Sequence, residues 1–376
     1  MKTEDMKVIA VSGTPHQRGK QIGASLCDDI HMIVEKRDRA IAARGYAPSD
    51  YWAAFEQCCD FVPNIERWTP RLAREVEGLA EGAQLDLNEA YRLQMLDEDW
   101  FFDAYHYASI PQSAHKCTTF AVTGGAGAPT FAGQNMDIHH FVDGHQVLVR
   151  IANELGSGAC LIFTYAGLMG LMGLNNAPLG INCNTLMQLG FNPTGVPVSF
   201  IVRHVLSLQT LKEAEDFLRN VPHACGQTYT LSSEDAGLCL ECGPSSVVAH
   251  RPQSDRRLCH TNHPLSNGDT NQFELRNASA GCAMPLVSHN SKARLTSIQD
   301  RISDPQSPVT LDKLMQALRA KDDPKNPVSR EQGSALDTNN IGFTAGSVIY
   351  EISGQPILYY AAGPPSISEF RRVSFE

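Results

Sequence analysis

The chain is short of positive charge. It has 31 Lys and Arg against 41 Asp and Glu, a formal charge of −10 over 376 residues. No net positive field steers in a nucleic acid or an anionic membrane surface. It has no repeat of the 20–50 residue kind, which excludes solenoids and propellers. The opening Met1-Lys2-Thr3-Glu4-Asp5 is charged with no apolar stretch behind it, so no secretory signal is read there. The closing Arg372-Val373-Ser374-Phe375-Glu376 is not a Ser-Lys-Leu peroxisomal signal. The expected location is the cytoplasm.

Long charge-free runs are also few. The 48 residues 155–202 hold no Asp, Glu, Lys or Arg. Their apolar part, Gly158 to Leu174, falls just short of the ~18–20 residues of a spanning helix. Gly167, Gly170 and Gly173 break it, and Asn175, Asn176 and Pro178 follow. Buried strands are the expectation. Apolar residues make up 42% and charged residues 19%, so a sizeable core is available and wholesale disorder is excluded.

Specific metal, redox and phosphate motifs are missing too. Eleven cysteines, an odd number without a signal segment, point to a reduced protein. Cys239-Leu240-Glu241-Cys242 has no second pair at zinc spacing and opens no helix. It sits in a strand–turn–strand pattern. His139, His140 and His145 have no carboxylate or cysteine at ligand spacing. Gly124-Gly125-Ala126-Gly127 lacks the Gly-Lys-Ser/Thr of a phosphate loop. No metal and no cofactor are expected.

What is present divides near residue 117. The first hundred residues read helical, opening at Thr14-Pro15 and again near Ser49-Asp50, Thr69-Pro70 and Asp86. No strand pattern precedes residue 117. Six short strands are then expected over 118–122, 130–134, 146–151, 160–165, 168–174 and 179–186. Helices near 198–208 and 211–220 come next. Four strands follow (228–231, 238–241, 246–250, 257–261), then helices near 293–302 and 311–321. A strand pair, 342–352 and 356–362, closes the chain. Two antiparallel sheets packed face to face, with a helix pair on each outer side, satisfy this order. The helical first third, lacking a sheet, must dock on that sandwich.

Cys117 stands where the helical region ends and the first strand begins. If the Lys116–Cys117 bond were cut, one residue would carry a thiol and a free α-amine. Such an amine has a pKa of ~7.7–8.0 and acts as a base near neutrality. A neighbouring base activates a thiol, so nucleophile and base would come together without a histidine. The residues alone leave a structural core cysteine open as the other reading.

Several motifs resemble the isopenicillin N acyltransferase family of N-terminal-nucleophile (Ntn) hydrolases. They are Cys117-Thr118-Thr119 followed by Gly133-Gln134-Asn135-Met136-Asp137, and Gly13-Thr14-Pro15-His16-Gln17-Arg18-Gly19-Lys20-Gln21-Ile22-Gly23. The stretch Gly173 to Leu186 and His260-Thr261-Asn262-His263 complete the set, in the family's order. The β-alanyl-dopamine hydrolase is another relative, and conjugated bile acid and penicillin V hydrolases are more distant ones. The resemblance implies an α+β, four-layer αββα sandwich and a precursor that cleaves itself before Cys117. The products would be a helical segment 1–116 and a catalytic segment 117–376 that stay associated.

It further implies roles. Cys117 attacks an amide carbonyl and forms a thioester. Asn262 matches the family's oxyanion donor, with Asn184 or Thr185 as a second candidate. Asp137 can hold the α-ammonium of Cys117; an Asx turn at a strand end is its other reading. Thr119 matches a threonine that assists self-cleavage. Arg294 resembles a family arginine near the site, and a solvated helix position is its alternative. Lys116 departs from the family's frequent glycine, which puts the ease of cleavage in doubt. Gln134 stands where bile acid hydrolases carry arginine.

The expected function is a self-processing amidohydrolase or acyltransferase acting on a small amide or short peptide, with acyl-coenzyme A as a candidate acyl donor. Two other readings stay open: an uncleaved, non-catalytic protein of this fold, and a cysteine amidase using internal Cys117 with His263 as base.

Overall fold

The computed structural model describes residues 6–107, 117–125, 128–154, 158–251, 256–270, 288–304, 308–331 and 342–375. Within them, two sheets stack face to face. The larger contains β1 (Lys7–Val11), β4 (Gln146–Glu154), β5 (Gly158–Tyr165), β6 (Met172–Asn175), β7 (Gly180–Thr185), β8 (Gln227–Ser232), β9 (Gly237–Cys242) and β10 (Val247–His250), in that spatial order. The smaller runs β11 (Arg257–His260), β2 (Thr118–Val122), β3 (Thr130–His139), β12 (Gly342–Ile352), β13 (Ile357–Ala361) and β14 (Arg371–Val373).

Period-two alternation sorts β2 between layers. Phe120 and Val122 face one way, into a core with Ile298, Ile302, Leu314 and Leu318. Those four come from α10 (His289–Ile302) and α11 (Leu311–Leu318), which cover the outer face of the smaller sheet. Cys117 and Ala121 belong instead to the large core that includes Phe163, Ile181 and Phe343. There the sheets touch closely: a Cβ on Gly346 of β12 would stand 2.0 Å from Phe163 Cζ of β5.

The outer face of the larger sheet carries α8 (Val198–Val205) and α9 (Leu211–Asn220), and the first third adds further helices. These are α1 (Pro15–Ser25), α2 (Cys27–Ala43), α3 (Pro48–Cys58), α4 (Val62–Trp68), α5 (Pro70–Ala83), α6 (Leu87–Arg92) and α7 (Glu98–His106). Thr14 caps α1 in a reciprocal box with Gln17, and Pro15 fills its first turn. Thr210 and Glu213 do the same for α9. The four-layer αββα arrangement is therefore present.

Several expectations need correcting. A strand does occur before residue 117: β1 pairs in parallel with β4, so the first third supplies an edge of the larger sheet. Five residues at an edge carry little alternation, and their partner is far along the chain. The helix expected from Asp86 onward is two helices, broken at 93–97. Gln94 turns inward there; its Nε2 donates to Gly167 O at 2.7 Å and its Oε1 accepts from Met169 N at 2.9 Å. The expected strand 168–174 reduces to Met172–Asn175, because Gly167 sits at φ +94° and Gly170 packs against the backbone of α8. Val62–Trp68 was not anticipated as a helix, and β14 extends the smaller sheet beyond the expected final pair.

The glycines of the amino-terminal motif have a packing role. Gly19 and Gly23 of α1 lie against Gly78 and Gly82 of α5, where a Cβ on Gly19 would meet Glu75 O at 1.9 Å and one on Gly78 would meet His16 O at 2.0 Å. The contact is backbone to backbone and cannot yield by rotating a side chain. Beside it, buried Glu75 joins Arg18 of α1 to Arg203 of α8, with N–O distances of 3.1 Å on both sides. Gly78→Ala must push α1 from α5, and is expected to lower stability by about 1–3 kcal/mol. A thermal melt checks this; an unchanged midpoint would contradict the close helix contact.

Candidate active site

Cys117 immediately precedes β2 and is 1% exposed. Its thiol points toward Met136 Sδ at 3.2 Å and, more weakly, Asp137 O at 3.8 Å. Burial pushes the thiol pKa up, and the Asp137 charge adds to this against the opposing pull of Arg294. The thiol is thus held neutral and needs a base to become nucleophilic. Among the described residues no histidine hydrogen-bonds it. His263 instead faces Ser291 Oγ at 2.7 Å and Thr261 Oγ1 at 3.4 Å. Burial lowers the His263 pKa to about 4, with the nearby charges of Arg294 and Lys292 adding to the shift.

An enclosed cavity of about 10 Å³ opens on Cys117, bounded by Leu96, Asp97, Met136, Leu171 and Thr185 among others. That is room for roughly one water molecule. Its β7 wall is Cys183 and Thr185. Asn184 is committed elsewhere: its Oδ1 accepts from Thr119 Oγ1 at 2.9 Å, bridging the two sheets. His260 O, 3.3 Å from Thr119 Oγ1, is a second, longer acceptor for the same hydroxyl hydrogen.

Arg294 is 1% exposed on α10, so the solvated alternative is corrected. The amphipathic turn that buries Leu295 and Ile298 also carries Arg294 inward. Its Nη1 donates to Cys117 O at 2.5 Å and to Thr118 Oγ1 at 3.0 Å. Its Nη2 donates to Asn262 Oδ1 at 2.9 Å. Burial brings the guanidinium pKa down to about 10, while Asp137 pulls it up.

Asn262 follows β11, with its backbone N–H on Ser291 Oγ at 2.9 Å. Because Oδ1 accepts from Arg294, the amide orientation is fixed. Nδ2 then donates one hydrogen to Thr185 O at 3.1 Å. Its second hydrogen takes no acceptor among the described residues.

Asp137 lies inside β3 opposite Thr344, not in an Asx turn at a strand end; the strand runs on to His139. Thr344 Oγ1 donates to Asp137 Oδ1 at 2.6 Å, and the charges of Arg294 and Arg330 act on it. Asn135, on the same face, braces the α11 end through Leu318 O and Val328 O. Gln134 crosses to β7, donating to Cys183 O at 2.5 Å and accepting from Cys183 N at 3.2 Å. Lys116 lies outside the described residues.

The structure thus brings Cys117, Asp137, Asn262 and Arg294 together and uses Thr119 and Asn184 as a strut beneath them. Sequence reasoning missed Asp97, Thr344 and Arg330. Asp97 accepts from Thr185 Oγ1 at 3.0 Å and from Gln227. Its neighbour Glu98 is pushed up to about 7 by burial and by the Asp97 charge. The acids of Asp97-Glu98-Asp99 inside an apolar stretch were a readable signal; Arg330 and Thr344 gave none. No group of His, Cys, Asp and Glu suited to a metal occurs among the described residues. Nor is any described helix long and apolar enough to cross a membrane.

Residues 122–363 match the family described as acyl-coenzyme A:6-aminopenicillanic acid acyl-transferase. That span takes in Asp137, Asn184, Asn262 and Arg294, while Cys117 lies just before it. The 40 kDa form of acyl-coenzyme A:6-aminopenicillanic-acid-acyltransferase of Emericella nidulans is 25% identical over 270 residues, 71% of this chain and 72% of that protein. Among solved structures, a mutant conjugated bile acid hydrolase from Clostridium perfringens is similar at 15% identity and a TM-score of 0.48, covering 69% of this chain and 92% of its own. Penicillin V acylase from Agrobacterium tumefaciens is similar at 18% identity and a TM-score of 0.46, covering 69% and 86%.

Asn262→Ala removes the side-chain amide that the family resemblance assigns to the oxyanion, and on that assignment the bond lost is strongest in the transition state. On an acyl substrate kcat is expected to fall by ~10²–10³ with little change in KM. Steady-state kinetics and a melting curve on the same preparation check this. A folded variant with wild-type kcat would sink the assignment.

Proposed function

The chain belongs to the acyl-coenzyme A:6-aminopenicillanic acid acyl-transferase family, and we propose that it is a self-processing N-terminal-cysteine enzyme that cleaves or transfers the acyl group of a small amide. The observation that carries this reading is the state of Cys117. The thiol is buried, held neutral, and bonded to no described histidine, while its own carbonyl is gripped by Arg294. A base supplied by the α-amine of the same residue resolves that arrangement.

Processing proceeds in balanced steps. The Cys117 thiol adds to the carbonyl of residue 116, and the peptide bond breaks to a thioester with release of the Cys117 amine. Water hydrolyses the thioester, leaving a carboxylate on residue 116 and a free thiol and amine on residue 117. Segment 1–116 stays associated through β1, paired along β4, and through α1, held to α8 by the Arg18–Glu75–Arg203 cluster.

In turnover the amine accepts the thiol proton and Sγ adds to the substrate carbonyl. The oxyanion accepts the remaining Asn262 N–H. Asp137 faces the ammonium, and its own charge is balanced by Arg294 and Arg330. As the C–N bond breaks, the leaving amine takes the ammonium proton. Water then attacks the thioester in hydrolysis, and a second amine does so in transfer; acyl-coenzyme A can serve as the donor in the transfer direction. Hydrolysis needs no further binding site and is the reading favoured here.

Denaturing mass spectrometry of the purified protein tests the proposal. It is expected to give two fragments divided before Cys117, and Cys117→Ala is expected to give one intact, inactive chain. Normal division of the alanine variant would assign the cut to an outside protease. An intact wild-type chain after long incubation would overturn self-processing.

A further inference from the structure

Of the buried acids that the mechanism leaves unused, Glu241 stands nearest in the fold to the loop that carries Asn262. Glu241 on β9 is 0% exposed, and both carboxylate oxygens are fully engaged. Oε1 accepts from His260 Nε2 at 2.8 Å and Leu265 N at 2.6 Å. Oε2 accepts from Ser266 N at 3.0 Å and Asn267 N at 2.6 Å. Three successive backbone N–H groups converging on one anion form a nest, here occupied by a side chain of the same protein.

The elements being joined give this nest a use beyond loop stability. β9 belongs to the larger sheet, and β11, which ends at His260, belongs to the smaller one. Glu241 therefore grips the loop on both sides of Asn262: His260 two residues before it, and residues 265–267 after it. It fixes where the chain leaves β11, and that exit aims the Asn262 amide between Arg294 Nη2 and Thr185 O. A donor to an oxyanion has to be placed before charge develops, and a displacement near 1 Å is costly.

The geometry points to Glu241 as a positioning residue that acts through Asn262, setting the oxyanion donor from the opposite sheet. This rests on the reading of Asn262 as that donor. Burial alone would raise the carboxyl pKa. The hydrogen bond from His260, with the loop N–H groups, outweighs it and brings the pKa down to about 2. The group therefore stays ionised across the neutral range and keeps all four acceptor positions.

The test is a double-mutant cycle on the mature, two-fragment protein, with kcat expressed per active site titrated by the acyl-enzyme burst. Glu241→Gln replaces one accepting oxygen by an NH2 group that cannot accept from backbone N–H. It is expected to lower kcat roughly 10- to 100-fold with KM little changed. In the Asn262→Ala background the same substitution is expected to change kcat less than about twofold, because the group it positions is gone. If Glu241→Gln yields no folded protein, His260→Leu serves. Leucine has no donor and so breaks the strand side of the grip while leaving the loop N–H bonds to Glu241, with a smaller expected loss and the same silence in the Asn262→Ala background.

Effects that multiply in the double variant would overturn the proposal, because Glu241 would then act independently of Asn262. A wild-type kcat per titrated site in Glu241→Gln, with only the melting point lowered, would reduce the residue to a structural one. A wild-type kcat in Asn262→Ala alone would remove the donor reading, and the positioning role with it; that single variant tells the two failures apart.

Discussion

The site depends on one buried guanidinium. Arg294 reaches Cys117 O, Thr118 Oγ1 and Asn262 Oδ1 at once, so it fixes the head of β2 and the loop after β11 in a single frame. A planar fork with donors at set angles does this; a lysine ammonium would give one point charge and lose the register between the two contacts. Taking such a cation out of water is costly unless its hydrogens are bonded and a carboxylate stands near. Asp137 supplies the charge, and Arg330 and Thr344 in turn hold Asp137. Cys117, Asp137 and Asn262 are thus parts of one electrostatic balance.

That balance sits where two sheets meet, and polar pins keep the sheets in register beneath it. Gln134 clasps both backbone groups of Cys183 across the gap. Thr119 reaches Asn184, and Tyr350 OH donates to Ile181 O at 3.2 Å. Each satisfies buried polar groups that apolar packing would leave orphaned, at a cost of about 1–3 kcal/mol apiece. A sandwich held only by Val, Ile and Phe could slide; these bonds give it one register.

The chain announced much of this and concealed some of it. Thr118–Val122, Leu211–Asn220 and Gly342–Ile352 have the residue bounds that alternation, capping and turn signals indicate. Cys117 is conspicuous because it stands just before a strand and just where helical periodicity ends. Asp137 was legible as a residue but not as a strand interior, since β3 runs five residues past the expected Gln134. β1 was illegible because a five-residue parallel edge has neither alternation nor a nearby partner. The break at 93–97 hid for another reason: Gln94 satisfies backbone groups of a glycine loop far along the chain, and helix propensity carries no trace of that. Arg330, Thr344 and Glu241 look like ordinary surface or strand residues until the two sheets are stacked.

The central claim is that the Cys117 sulfur carries the acyl group while its own α-amine moves the proton. Rapid acid quench of the mature protein during turnover of an acyl amide, followed by peptide mapping, addresses it directly. The account predicts a hydroxylamine-labile acyl group on Sγ of a peptide that begins at Cys117 with an unmodified amine. An acyl group on any other residue, or a single turnover complete with no adduct on Cys117 at any quench time, would contradict it.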